Sequence, residues 1–462
     1  MATLTFLGAA RTVTGSKYLL NIDGHHVLVD CGLFQGLKEL RERNWAPLPV
    51  HPASIEAVVL THAHIDHSGW LPRLVANGFR GPIYCTAGTA DLCSLVLPDA
   101  GHLQEEDARL ANKGRFTKHR PALPLFTEAD ARQALTLLRR VNFNQPLSVV
   151  PGLNAEFMNA GHLLGSAFVR MTRADGSGGK VLFGGDLGRY GRPVLPDPTP
   201  GVDADVLLVE STYGDRIHPA EDDGSELAQI INDAIKTKGK VIIPAFAIGR
   251  VEEVLYWLRQ LERSGRIPKI PVFVDSPMAV KALDYYAEHS AELDPDVRSG
   301  AAEVSAFATA RFEAVASVQE SKEVTAMGGP AIVISASGMA TGGRVLHHLA
   351  AALPDDRNAV VFVGFQAAGT RGRQLVDGAK QTKMHGNYVS VNAKIHRLDG
   401  MSAHADASEI IRWLRTFRRA PKMTYLVHGE PSAQTALQAR IAAELKWPVT
   451  IPSQGQKVEL PL

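Results

Sequence analysis

The sequence predicts an α/β protein in which one domain is inserted into another, and three observations predict it. Apolar runs of strand length recur along the first half, each closed by glycine or a polar turn. From Tyr213 to about Asn387, strand-like and helix-like segments alternate, the pattern of a parallel sheet with crossover helices. Beyond that block, strand-like Met423-Thr424-Tyr425-Leu426 delivers a histidine, His428, whose expected partners precede the block. The first domain is therefore expected to be discontinuous, as 1–212 and 389–462, around an insert at 213–388. A chain of 462 residues suits two domains of ordinary size.

Leu4 to Leu7, Lys17 to Ile22 and His26 to Val29 read as strands, the last ending at Asp30-Cys31-Gly32. Ala57 to Leu60 is a buried strand. The stretch from about Asp99 to Gln145 reads as polar helices, with Gln104 to Leu110 at one end and Glu128 to Val141 at the other. Strands resume at Phe157-Met158 and at Val181 to Phe183. A proline-rich loop, Arg192 to Pro200, precedes the apolar strand Val206 to Val209. In the insert, strand Lys240 to Phe246 leads to helix Arg250 to Arg263, and Pro271 to Val274 leads to Ala279 to Ser290. Ala331 to Ile334 is followed by Gly343 to Ala352, and Ala359 to Val363 by Arg371 to Asp377.

Composition excludes several classes. Hydrophobic residues at 45% and charged residues at 21% are ordinary for a globular chain and supply two cores. Cys31, Cys85 and Cys93 form no CxxC pair and are odd in number, which argues for free thiols in a reducing compartment. No basic segment followed by an apolar one marks a signal peptide, and no apolar run approaches the ~18 residues of a membrane span. A cytoplasmic enzyme without membrane contact is expected. The net charge of +1 advertises no polyanionic partner, so any nucleic-acid contact must be local.

The chemistry concentrates in Thr61-His62-Ala63-His64-Ile65-Asp66-His67-Ser68-Gly69, on the loop leaving the strand Ala57 to Leu60. Folding does not require such a density of imidazole. Zinc does, because neutral imidazole and carboxylate are its preferred nitrogen and oxygen donors. One loop cannot close two tetrahedral sites, so further donors are expected downstream. His162, Asp186 and His428 each follow a strand-like run beside glycine, where a tight exit and a close backbone approach are possible. The remaining histidines, His404 aside, have no ligand spacing and are expected on the surface or in the core.

The HxHxDH loop looks like the signature of the metallo-β-lactamase superfamily of hydrolases. Further motifs narrow the resemblance: Glu210-Ser211-Thr212-Tyr213-Gly214, Pro244 to Arg250, Asp275-Ser276-Pro277-Met278-Ala279, Ser335-Ala336-Ser337-Gly338-Met339, Ser402-Ala403-His404-Ala405-Asp406 and Val427-His428-Gly429-Glu430. Together they resemble β-CASP nucleases, metallo-β-lactamase-fold enzymes that process nucleic acids. That family includes the endonuclease subunit of the cleavage and polyadenylation specificity factor and its bacterial and archaeal relatives. The resemblance implies an αββα sandwich interrupted by a β-CASP domain built on a parallel sheet. The family usually reads Gly-Arg-x-Gln-Glu where this chain has Gly249-Arg250-Val251-Glu252-Glu253.

The resemblance also implies roles. Two zinc ions are expected per chain, one on His62, His64 and His162, the other on Asp66, His67 and His428, with Asp186 bridging. Glu210 is expected to pair with His404, which would act as general acid, and Asp30 would orient ligand imidazoles without binding metal. His428 stands where the DNA-processing branch usually has valine, which points to RNA. Small residues at Ser335, Ser337 and Gly338 suit an anion site at a strand-to-helix turn, and in the family that turn contacts substrate phosphate. The expected reaction is hydrolysis of single-stranded RNA, leaving 5′-phosphate and 3′-hydroxyl. The exonuclease-capable branch typically carries a long extra C-terminal domain, so endonucleolytic cleavage is expected, with 5′-exonuclease as the alternative. A thioesterase or lactonase shares the metal motifs but has no reason to carry the insert. A homodimer is among the assemblies open to the chain.

Overall fold

The computed structural model describes residues 2–114, 119–219, 223–295, 297–298 and 306–462. It forms two compact units. One comprises Met1–Gly191, Asp197–Ile217 and His404–Leu462, the other Arg192–Pro196 and His218–Ala403.

The first unit is built on two seven-stranded sheets. One runs, in spatial order, Lys457–Leu460, Ala2–Phe6, Tyr18–Ile22, His25–Val29, Ile55–Val59, Ile83–Thr86 and Leu138–Val141. The other runs Val449–Thr450, Met423–Val427, Val206–Glu210, Lys180–Phe183, Ala167–Arg173, Leu153–Asn159 and Leu147–Val150. Strand side chains alternate between faces, so one set from each sheet meets in a common core. Leu4, Phe6, Leu20, Val27, Val29 and Val59 pack there against Phe157, Val169, Val181, Phe183, Leu208 and Val427. The opposite face of the second sheet, through Phe168, Leu182, Leu207 and Leu426, is covered by helices Ala407–Leu414 and Pro431–Glu444. On the first sheet, helices Leu71–Ala76, Ala87–Gly114 and Glu128–Leu135 pack together beside strands Ile83–Thr86 and Leu138–Val141. The result is the expected αββα sandwich.

One expected helix is partly wrong. Leu138–Val141 is a strand paired in parallel with Ile83–Thr86, and the helix before it stops at Leu135. It lies at the sheet edge, where Arg139 and Arg140 face solvent and Arg140 pairs with Asp91. Arginine on an edge strand gives a polar sequence that reads as a helical surface.

The second unit carries a six-stranded sheet ordered Phe312–Ala314, Val272–Asp275, Ala331–Ser335, Lys240–Pro244, Ala359–Phe362 and Lys394–Arg397. Every pairing in it is parallel. Lys240–Pro244 and Ala331–Ser335 are buried at every position, as expected for parallel strands covered on both faces. No described helix is long and apolar enough to cross a membrane.

Candidate active site

Parallel pairing brings distant chain segments to one edge of the first unit. Lys180–Phe183, Val206–Glu210 and Met423–Val427 run side by side, with Glu210 level with Val427. Their C-terminal ends therefore deliver Asp186, Glu210 and His428 together. Strand Ile55–Val59 of the other sheet delivers the His62–His67 loop, and its parallel neighbour His25–Val29 delivers Asp30. His162 comes from the turn joining Leu153–Asn159 to Ala167–Arg173, and Ala167 N donates to Thr61 O at 2.9 Å across the two sheets. Two close approaches need glycine. Gly185 has φ +54°, and a Cβ on Gly188 would lie 2.0 Å from Gly161 O.

These placements converge on three donor groups that could each hold a metal ion. His62, His64, His162 and Asp186 form one, Asp66, His67 and His428 another, and Asp186, Glu210, His404 and His428 a third. His64 Nδ1 lies 3.1 Å from His62 Nε2 and 3.2 Å from His162 Nε2, so three ring nitrogens face one point. Asp186 Oδ2 is 3.4 Å from His62 and 3.5 Å from His162, while Oδ1 is 3.2 Å from His67 and 3.6 Å from His428. Asp186 thus reaches both histidine groups. Its Oδ1 is buried and has no hydrogen-bond partner among the described residues, an expensive condition for an anion that a cation would relieve. The donor set fits zinc, which favours imidazole and carboxylate.

Burial prepares three of the imidazole donors, whereas Asp186 and Asp30 outweigh burial at His67 and raise it. Burial pushes His62, His64 and His162 down, His64 to about 3, which keeps these imidazoles neutral with a free lone pair. Burial alone would raise Asp186, but the neighbouring His428 and His67 outweigh it and hold the carboxylate ionised. Asp66 is depressed for the same reason, led by its contact of 3.2 Å with His428 Nε2.

Around the donors stands a ring of orienting groups. Asp30 accepts from His67 Nδ1 at 2.8 Å, from Thr61 N at 2.8 Å and from Thr61 Oγ1 at 2.9 Å. His404 Nδ1 lies 3.0 Å from Glu210 Oε2 and 3.1 Å from Oε1. Burial would depress His404, but Glu210 and Asp186 outweigh it and raise it to about 9. Thr212 Oγ1 donates to Glu210 Oε2 at 2.6 Å and lies 3.0 Å from His428 Nδ1. Thr61 and Thr212 fall inside the motifs with no role assigned there, and Ser16, whose hydroxyl is 3.3 Å from His67 Nε2, falls outside them. The positions of Thr61 and Thr212 at strand ends beside expected site residues were the available clue.

In the second unit, Ser335 is buried and its hydroxyl donates to Asp275 O at 2.8 Å, so it is occupied by the fold. Ser337 is partly exposed and its Oγ meets Thr341 Oγ1 at 3.0 Å. A Cβ on Gly338 would lie 2.8 Å from Phe246 N. The following helix begins at Val345, so the Ser335–Gly338 turn is not the helix N-terminus expected from sequence. Gly343, at φ +79°, continues the loop in between.

Histidines and a shared carboxylate at the strand ends of an αββα sandwich define a metal-dependent hydrolase. Comparison with known proteins agrees along the chain. Residues 11–244 match a model of the metallo-β-lactamase superfamily, 251–375 the β-CASP domain, and 388–452 the RNA specificity domain of zinc-dependent metallo-hydrolases. A ribonuclease of Thermus thermophilus is 39% identical over 437 residues, covering 94% of this chain and 95% of that protein. A transcription termination factor of Methanosarcina mazei is 30% identical over 458 residues, 96% of this chain and 69% of the longer relative. A crystal structure of a protein of unknown function from Enterococcus faecalis has a TM-score of 0.53 at 13% identity, covering 99% of each chain, a likeness of fold alone. The chain belongs to the metallo-β-lactamase-fold β-CASP ribonuclease family.

Proposed function

We propose that the protein is a zinc-dependent endoribonuclease that hydrolyses single-stranded RNA to 5′-phosphate and 3′-hydroxyl ends. The observation that carries this reading is the convergence of His62, His64, His162, Asp66, His67, His428 and Asp186 beside the Glu210–His404 pair. His62, His64 and His162 would hold one zinc ion, Asp66, His67 and His428 a second, and Asp186 would share both. When bound, the ions supply charge neutralisation on the phosphate and acidify the attacking water.

The chain's own groups do the rest. Asp30 fixes the orientation of His67 through its Nδ1. Glu210 accepts a hydrogen bond from His404 Nδ1 and favours the imidazolium, leaving the Nε2 proton for the departing 3′ oxygen. Ser337 and the backbone of the Ser335–Gly338 turn would receive a phosphate of the strand. Support for RNA comes from the Thermus ribonuclease at 39% identity and from the RNA specificity domain at 388–452.

The test is incubation with end-labelled linear RNA and with circular RNA of the same sequence. Opening of the circle, with ends that accept ligation as 5′-phosphate and 3′-hydroxyl, is expected. Release of mononucleotides from the 5′ end with circles left intact would replace the endonuclease by a 5′-exonuclease.

A further inference from the structure

Lys17 is a buried cation with no part in the motifs. It is only 3% exposed, and burial pulls its ammonium down to about 8. A lysine rarely enters an interior unless something there repays the lost hydration. Its Nζ donates to Gly32 O and sits 4.9 Å from the Phe34 ring centroid and 5.3 Å from that of Trp70. Two aromatic faces about a cation form a cage of the kind that holds ammonium groups. The cage is itself built: Asn44 exchanges hydrogen bonds with the Phe34 backbone at 2.9 and 2.8 Å, and its carbonyl receives Trp70 Nε1 at 2.9 Å.

What the ammonium joins is the support of one metal-donor turn. Ser16 N donates to Asp66 O at 2.8 Å, Cys31 N to His67 O at 2.7 Å and Leu33 N to Ile65 O at 2.9 Å. The carbonyls of Ile65, Asp66 and His67 are thus held by two short segments, 16–17 and 31–33. Gly32 N also donates to Ser16 O at 2.9 Å, and Lys17 cross-links the same segments through Gly32 O. The fit is close, because a Cβ on Gly32 would stand 1.6 Å from Asp66 O. Of the donors in the other histidine group, His162 is anchored apart from these segments, its N donating to Ser166 Oγ at 3.0 Å.

We propose that Lys17 is a positioning residue for the Asp66–His67–His428 half of the site, acting through the caged contact that locks the backbone beneath Asp66 and His67. The inference rests on the two-ion reading above, and its test separates the two. Metal-free full-length protein is titrated with cobalt(II), followed by the visible absorption of the bound ion. The unmodified chain is expected to take up two ions in resolvable steps. Lys17→Met keeps the length of the side chain, and its thioether still suits the aromatic cage. In that variant one step should be unchanged and the other weakened about 10- to 100-fold, the usual effect of removing support behind a ligand. Its metal-free melting temperature should hold or rise, since a buried charge has been removed. Phe34→Leu, which keeps the ammonium but opens the cage, should weaken the same step by a smaller factor and serves if Lys17→Met does not fold. Two steps at wild-type affinity, or equal weakening of both, would overturn the proposal. A single ion on the unmodified chain would instead remove the two-ion reading, and positioning would then stand or fall on whether Lys17→Met weakens that ion.

Discussion

The Glu210 carboxylate meets His404 Nδ1 at 3.0 Å although 194 residues separate them. The contact is fixed from both sides. Glu210 ends a buried strand and also accepts Leu187 N at 2.7 Å, while His404 bridges to Gly188. An imidazole so held keeps its proton at neutral pH, which a general acid needs. His404→Ala should retain metal and RNA binding yet lose turnover by about 10²- to 10⁴-fold. Loss of zinc from this variant would make His404 a ligand.

The same pair fixes an alkaline limit. His404 is raised to about 9, so its acid form persists through neutral pH and disappears as pH passes that value. The turnover number for RNA should hold to about pH 8 and decline above about 9. The residual rate of His404→Ala should lack that limb, and an identical limb in the variant would assign it to another group.

Asp186 is the donor that reaches both histidine groups. Asp186→Ala should lower bound zinc and abolish cleavage, because both groups lose the carboxylate they share. Elemental analysis of the variant alongside an RNA assay checks this, and full activity would remove the shared role.

Glu252 is a stability prediction. It is fully buried, with no hydrogen-bond partner for either oxygen among the described residues, and burial pushes it up to about 8. An acid raised in the folded state takes up a proton on folding. Its cost is absent below the unfolded value near 4.5, grows as pH rises to about 8 and is constant above. Glu252→Gln supplies the amide that the family usually has there. It should stabilise the protein on the order of 2–4 kcal/mol at pH 8 and hardly at all at pH 4.5. Melting curves at both pH values decide it, and equal effects would place the carboxyl in a solvated setting.

Ser337 is partly exposed on the Ser335–Gly338 turn, and a negative charge there should repel phosphate. Ser337→Asp should raise KM for RNA on the order of tenfold, about 1.4 kcal/mol, with zinc content unchanged. Unchanged KM would remove the turn from the substrate site.

Much of this centre was legible in the sequence because its main loop is local. His62, His64, Asp66 and His67 announce themselves within one turn, and His162, Asp186 and His428 each follow an apolar run. The pairing of Glu210 with His404 came from the family motifs, since no spacing rule joins residues so far apart. The supporting groups were silent. Thr61 and Thr212 sit inside site motifs but no spacing marks them as supports, Lys17 opens a plain strand-like run, and the roles of all three exist only once the strands of the first unit are paired. Leu138–Val141 misled because an edge strand exposes its arginines. The contact of the Ser335 hydroxyl with Asp275 O was silent too, because a small residue at a strand end serves equally to bind a ligand or to close a backbone contact.

Zinc content is the measurement on which the two-ion centre stands or falls. Protein purified without added metal is analysed for zinc per chain, beside Asp186→Ala and an assay on single-stranded RNA and duplex DNA of the same sequence. About two zinc ions are expected in the unmodified chain, fewer in the variant, and cleavage of the RNA alone. A zinc-free chain that still cuts RNA, or one that carries zinc and hydrolyses thioesters or lactones but no RNA, would contradict that expectation.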